Sequence, residues 1–147
     1  MVSAYFDSSV LVAFYLAEPH SAAARRAVAG EPPVCFTALH GLEVRNALRL
    51  QVGRQRITME ESEAVLRHLE EDVAAGRLTL TPLDLYLVFE RAEALSARHT
   101  ARLPSRSLDI LHVAAALELG CTRFVSFDSR QVKLAAAAGL RATTVPA

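Results

Sequence analysis

The sequence predicts an α/β fold, a central parallel sheet of four or five strands with helices packed on both faces, three layers in all. Short apolar runs alternate with longer segments of helical period from one end of the chain to the other, and that alternation is the pattern of a parallel sheet joined by crossover helices. Two of the apolar runs finish in Phe-Asp-Ser, at Phe6-Asp7-Ser8 and at Phe127-Asp128-Ser129. A core strand that stops on a carboxylate is unusual, and two such endings suggest two acids brought to one place. The length of 147 residues, with 52% hydrophobic and 22% charged residues, fits one globular domain over residues 1–147.

Each element has its own local signals. Ala4–Phe6 reads as a short buried strand. Ser8 or Ser9 fits the N-cap of the helix that follows through VLVAFYL, and Pro19 closes it. His20 and Ser21 open a second helix through AAARRAVA to Gly30. Val34 to Thr37 is the second strand, with Thr37 as a start signal for the helix LHGLEVRNALRLQ, which fades at Gly53. Thr58 opens a long helix, with Glu61 at capping-box spacing and Gly76 at its end. RLTLTPL alternates and reads as a strand. Asp84 starts the helix DLYLVFERAEALSAR, and HTARLPSRS is a loop. LDILHVAAALELG is a nearly all-apolar helix closed by Gly120. RFVSF is a strand, SRQVKLAAAAG a helix, and LRATTVP a last or edge strand.

Net charge is zero, so global charge makes no argument for a polyanion partner. Distribution says more. No acid lies between Glu43 and Glu60, where Arg45, Arg49, Arg54 and Arg56 stand, and none between Glu93 and Asp109, where Arg98, His99, Arg102 and Arg106 stand. Lys133 is the only lysine, and arginine suits bidentate phosphate contact better than lysine does. The bland alternative is a solvated arginine surface. The two cysteines, Cys35 and Cys121, sit in apolar contexts without a CxxC pattern and read as small buried residues in a reducing, cytoplasmic setting. No apolar run is long enough to span a bilayer, and no basic segment precedes an apolar one at the N-terminus.

In an open parallel sheet, ligands bind beyond the carboxyl ends of the strands. Four acids have suitable places. Asp7 follows the first strand, Glu43 lies about one turn into the helix after the second, Asp109 opens the apolar helix, and Asp128 follows the fourth strand. Burying unpaired carboxylates is costly, and no lysine or evident arginine partner stands at these strand ends. A divalent cation answers the problem for all four. Carboxylate oxygens without cysteine, and with the five histidines scattered, point to a hard ion, Mg²⁺ or Mn²⁺. Ser9 and Ser126 are placed to orient carboxylates or water, and Asn46 can bond Glu43 or an RNA. Each aspartate also has a structural alternative as a helix cap or as a charge at a helix N-terminus, and the serines as turn residues. Glu43, on an apolar face, has the weakest alternative. His112 reads as a core histidine ahead of a catalytic base. The runs Glu60-Glu61-Ser62-Glu63 and Glu70-Glu71-Asp72 read as solvated helix faces.

The stretches YFDSSVLVAFYLAEP, TALHGLEVRNAL, RSLDILHVAAALELGCTRFVSFDSRQ and LAAAAGL, in this order, resemble the PIN domain family and most closely its VapC-type toxin ribonucleases. The resemblance runs from Tyr5 to about Leu140. It implies a PIN-like three-layer fold and metal-dependent hydrolysis of RNA phosphodiester bonds, with Asp7, Glu43, Asp109 and Asp128 as the catalytic, Mg²⁺- or Mn²⁺-binding acids. Ser9 and Ser126 match positions where threonine is frequent, which keeps the hydroxyl. A homodimer and a small antitoxin protein are implied as partners; the helices from Thr58 and the face of AFYLAEP are the apolar surfaces considered for them. Arg45, Arg49, Arg102 and Arg106 are the expected RNA-backbone contacts. The rivals are a PIN-like binding or regulatory module that does not cut, a housekeeping RNA-processing nuclease, and an aspartyl phosphate-transfer protein. Ser9 stands where a haloacid-dehalogenase-like phosphatase needs a second aspartate. The paired acids near the first strand and the late strand-end lysine of a receiver are also missing.

Overall fold

The computed structural model describes residues 4–146. Its elements run β1 (Ala4–Phe6), α1 (Ser8–Tyr15), α2 (Ser21–Val28), β2 (Val34–Phe36), α3 (Ala38–Gly53), α4 (Met59–Ala74), β3 (Leu78–Leu80), α5 (Leu85–His99), α6 (Ser107–Glu118), β4 (Arg123–Ser126), α7 (Ser129–Ala137) and β5 (Arg141–Thr144). Every strand pairing is parallel. β1, β4 and β5 form one hydrogen-bonded group in the order β1-β4-β5, and β2 pairs with β3 in another.

β2 packs beside β1, so the five strands lie in the order 3-2-1-4-5. At the boundary the expected sheet is interrupted, because among the described residues β1 and β2 share no ladder. A side chain takes the place of backbone there: His40 Nε2 donates to the Phe6 carbonyl at 2.7 Å. The His40 tautomer follows from its other nitrogen, where Nδ1 accepts the Thr37 amide at 3.0 Å. Thr37 and His40 complete a capping box that starts α3.

The strands β1, β2 and β4 are buried on both faces, and their successive residues divide between two cores, while β3 and β5 are largely exposed. Ala4, Phe6, Val34, Phe36 and Val125 face a core with α1, α2 and residues of α3 and α4. Tyr5, Cys35 and Phe124 face the other, with α5, α6 and α7. This is the period-2 alternation of a strand applied to an all-apolar strand covered on both sides. The apolar helix α6 buries Ile110, Val113, Ala114, Ala115 and Ala116, which explains its lack of a polar face. Gly76 and Gly120, at φ +75° and +71°, end α4 and α6 in the left-handed region that suits glycine.

Some local expectations are corrected. The N-cap of α1 is Asp7, not Ser8 or Ser9. Asp72 is not on a solvated face: it is buried, accepts the Tyr15 hydroxyl at 2.6 Å and pairs with Arg77 at 2.6 Å. Its neighbours Glu70 and Glu71 are exposed as expected. The AFYLAEP face is mostly covered, with Ala13, Tyr15 and Leu16 buried. The exposed large apolar side chains concentrate instead on α3, β3 and α5, at Leu42, Leu50, Leu80, Leu85, Tyr86 and Phe89. Among the described residues, no helix is long and apolar enough to cross a membrane.

Candidate active site

The strand order reverses between β1 and β4, the place where open α/β sheets form a crevice. Asp7 and Asp128 leave the strands at that point. The Asp7 amide still donates to the Val125 carbonyl of β4 at 2.9 Å, so the carboxylate emerges from a fixed rung of the ladder. Asp7 is only 6% exposed. Its Oδ2 accepts the Ser9 amide at 3.1 Å and the Ser9 hydroxyl at 2.6 Å. Asp128 caps α7 through the Arg130 amide at 2.9 Å, and its own amide donates to Ser126 Oγ at 3.0 Å. The capping roles read as alternatives in the sequence thus coexist with a place in the crevice.

Gln131, absent from the sequence reading, ties three segments together. It is 1% exposed. Ser126 Oγ donates to Gln131 Oε1 at 2.8 Å. Gln131 Nε2 donates to Asp7 Oδ1 at 3.2 Å and to the Asp109 carbonyl at 3.3 Å. A signal existed. Gln131, Leu134 and Ala135 stand at i, i+3 and i+4, and all three are buried, so a polar residue shares the apolar stripe of α7.

Asp109 lies in the first turn of α6, and Arg106 donates to its Oδ2 at 3.2 Å. Burial holds the Asp109 carboxyl above its ordinary range against the pull of Arg106, and the charges of Asp7 and Asp128 push the same way. Glu43 projects from α3, about a quarter exposed, and its Oε1 meets His112 Nε2. His112 is fully buried, and Tyr5 Oη lies 2.6 Å from its Nδ1. The histidines are therefore not all scattered. His40 and His112 lie with ring centroids 5.2 Å apart, both against Tyr5. Burial, and next the neighbouring His112, hold His40 down to about 3, so it is neutral.

Asp7, Glu43, Asp109 and Asp128 line one cavity of ≈ 450 Å³, together with Ser9, Arg106 and Gln131. The donors are hard carboxylate oxygens, and the mutual repulsion felt at Asp109 is the kind a cation relieves, so the chemistry of the set fits a divalent ion. The spacing is open: among the described residues, no three His, Cys, Asp or Glu side chains stand close enough to hold an ion as they are. Arginine partners explain part of the spread, since Asp109 turns to Arg106 and Asp128 toward Arg130 at 3.6 Å. Arginine partners absent from the sequence reading thus do exist, although Arg106 and Arg130 are largely exposed. Of the four arginines expected at RNA, Arg106 alone lines this cavity. Arg45 and Arg49 line a separate depression with Phe36, Thr37 and Leu80, and Arg102 is exposed in the loop after α5. Asn46 is exposed on α3 without a hydrogen bond to Glu43.

The family model of the PIN domain matches residues 4–137, which include every acid of the cavity. The chain belongs to the PIN domain family. "Ribonuclease VapC46" of Mycobacterium tuberculosis (strain ATCC 25618 / H37Rv) is 31% identical to this PIN domain over 144 residues, 95% of each chain. In fold, the PIN domain matches the crystal structure of FitAcB from Neisseria gonorrhoeae with a TM-score of 0.69, covering 96% of each chain at 14% identity.

Proposed function

We propose that this PIN domain is a divalent-metal-dependent endoribonuclease, the toxin of a toxin–antitoxin pair. The observation that carries the proposal is the meeting of Asp7, Glu43, Asp109 and Asp128, from four separate sequence segments, in one cavity at the switch point of the sheet. A likeness to a relative named a ribonuclease supports it.

Asp7, Glu43, Asp109 and Asp128 would hold Mg²⁺ or Mn²⁺, which when bound would supply Lewis acidity at a phosphodiester and ease deprotonation of the attacking water. The chain's own residues prepare the place. Ser9 and Gln131 hold both oxygens of Asp7 in one orientation. Ser126 reaches Asp7 through Gln131 and fixes the backbone at Asp128. Arg106, at the rim, offers a guanidinium to the phosphate backbone and meanwhile screens Asp109. Arg45, Arg49 and Arg102 extend the basic surface along which a strand of RNA runs. The partners of this reading are an RNA substrate, a small antitoxin and a second copy of the chain, which covers the exposed apolar side chains of α3 and α5.

A non-cutting module is the rival, favoured by one observation: the acids stand apart, each with a protein partner. One assay separates the two readings. Purified protein is incubated with RNA and Mn²⁺ or Mg²⁺, beside an EDTA control and Asp7→Asn. Metal-dependent cleavage that vanishes in the variant is expected. Metal-independent cleavage, or full activity in Asp7→Asn, sinks the proposal.

A further inference from the structure

We propose that His112 is a positioning residue for the active-site carboxylate Glu43, holding it with an Nε2–H donor that Tyr5 fixes by occupying Nδ1. The geometry rests on hydrogen bonds alone; its consequence for activity rests on the nuclease reading above.

His112 is 0% exposed, and three oxygens lie near its Nε2. The Glu43 carboxylate is the nearest, Ser8 Oγ lies at 3.2 Å and Asp7 Oδ1 at 3.9 Å. A nitrogen lone pair aimed at a carboxylate is repulsive, so the proton sits on Nε2. The other nitrogen, Nδ1, meets the Tyr5 hydroxyl at 2.6 Å. A neutral phenol donates there, which requires Nδ1 to be the acceptor and leaves Nε2 as the donor. Tyr5 is itself packed in place: it is 0% exposed, sits in the middle of β1 and stacks on Phe124 at 5.6 Å with 7° between the rings. A ladder-bound strand residue therefore sets the tautomer of a core histidine, and the histidine sets the carboxylate.

The arrangement explains how Glu43 joins the others. Asp7 and Asp128 follow strands of the β1-β4-β5 group, and Gln131 binds Asp7 to the start of α6. Glu43 alone comes from α3, beside β2, while the bonds of Gln131 go to Ser126, Asp7 and Asp109. His112, one turn after Asp109 on α6, bridges that gap. A partner of this kind, holding the orientation of a metal-binding side chain, is worth about 10- to 100-fold in metal affinity or activity when removed.

The experiment uses the metal-free full chain and three variants. Nitrogen-15 NMR of the histidine rings reads the tautomer directly, and Mn²⁺ titration reads affinity. Expected is a His112 ring that carries a proton at Nε2 and accepts from Tyr5 at Nδ1, changing to mixed tautomers in Tyr5→Phe. His112→Leu is expected to bind Mn²⁺ about 10- to 100-fold more weakly and to lose kcat with KM for RNA unmoved. His112→Gln, which keeps an N–H near the Nε2 position, is expected to recover most of both. A His112 ring unprotonated at Nε2, or protonated at both nitrogens, overturns the proposal. So does a folded His112→Leu that binds Mn²⁺ like wild type. If His112→Leu does not fold, the tautomer and the Tyr5→Phe and His112→Gln titrations decide. Wild-type protein that cuts no RNA yet shows the expected tautomer and affinities supports this positioning role while removing the nuclease reading.

Discussion

Asp7 accepts the Ser9 amide as the N-cap of α1 and turns its other oxygen to Gln131. Asn is as good a cap as Asp, so Asp7→Asn is expected to keep its unfolding free energy within about 1 kcal/mol of wild type while cleavage disappears. Urea unfolding and an RNA-cleavage assay on the same preparation check the pair of outcomes. Gln131 gives the opposite test. Gln131→Leu leaves the Ser126 hydroxyl and one Asp7 oxygen without their buried partner, for a loss of about 1–3 kcal/mol, and lets Asp7 reorient. Lower stability together with lower activity is expected; unchanged stability would show that the amide is replaceable. The four acids were legible because each interrupts an apolar context. Gln131 and His112 were not, because they reach Asp7 and Glu43 only when distant segments meet, whereas Arg106 stands only three residues before Asp109. His112 was read as a core histidine, and it is one, with its second nitrogen at the site.

At the level of elements, caps and breakers carried the reading. Thr37, Thr58 and Asp84 cap their helices, and the strands fall where the apolar runs do. The sequence did not show that β1 and β2 meet through an imidazole. That depends on His40 reaching across from α3, a contact no local pattern encodes. It carries a pH signature. His40 titrates near 3 in the fold against 6.5 ordinarily, so between these values the unfolded chain binds the extra proton. Stability therefore falls as pH drops from 6.5 toward 3, by at most about 1.4 kcal/mol per pH unit. His40→Gln cannot take that proton, and its stability is expected to decline less over the same range in urea titrations at stepped pH. Equal slopes for both proteins would exclude His40 as the source. Asp72 likewise escaped the reading, since its acidic neighbours on α4 are solvated and only its own turn position faces Tyr15. Asp72→Ala is expected to lower the thermal midpoint, with about 1–3 kcal/mol lost from the orphaned Tyr15 hydroxyl.

On the scale of the whole molecule, strand–helix alternation foretold the layered architecture, but not which surface stays bare. Helix α5 has Tyr86 72% and Phe89 57% exposed on one outer surface. If a second copy covers this face, Phe89→Asp is expected to sediment as a monomer where wild type sediments as a dimer, and a wild-type monomer would remove the dimer from the proposal. Periodicity could not pick this face, because an amphipathic helix looks the same whether its apolar stripe meets its own core or another chain. The imidazole between β1 and β2 has a consequence at this scale too. A backbone ladder is indifferent to side-chain identity, so evolution cannot loosen it one residue at a time. Here the Glu43-bearing half of the sheet meets the half bearing Asp7 and Asp128 through side-chain packing and one replaceable hydrogen-bonding side chain, His40, in place of a ladder, and the width of the crevice between them is thereby open to heritable adjustment without redesign of either half.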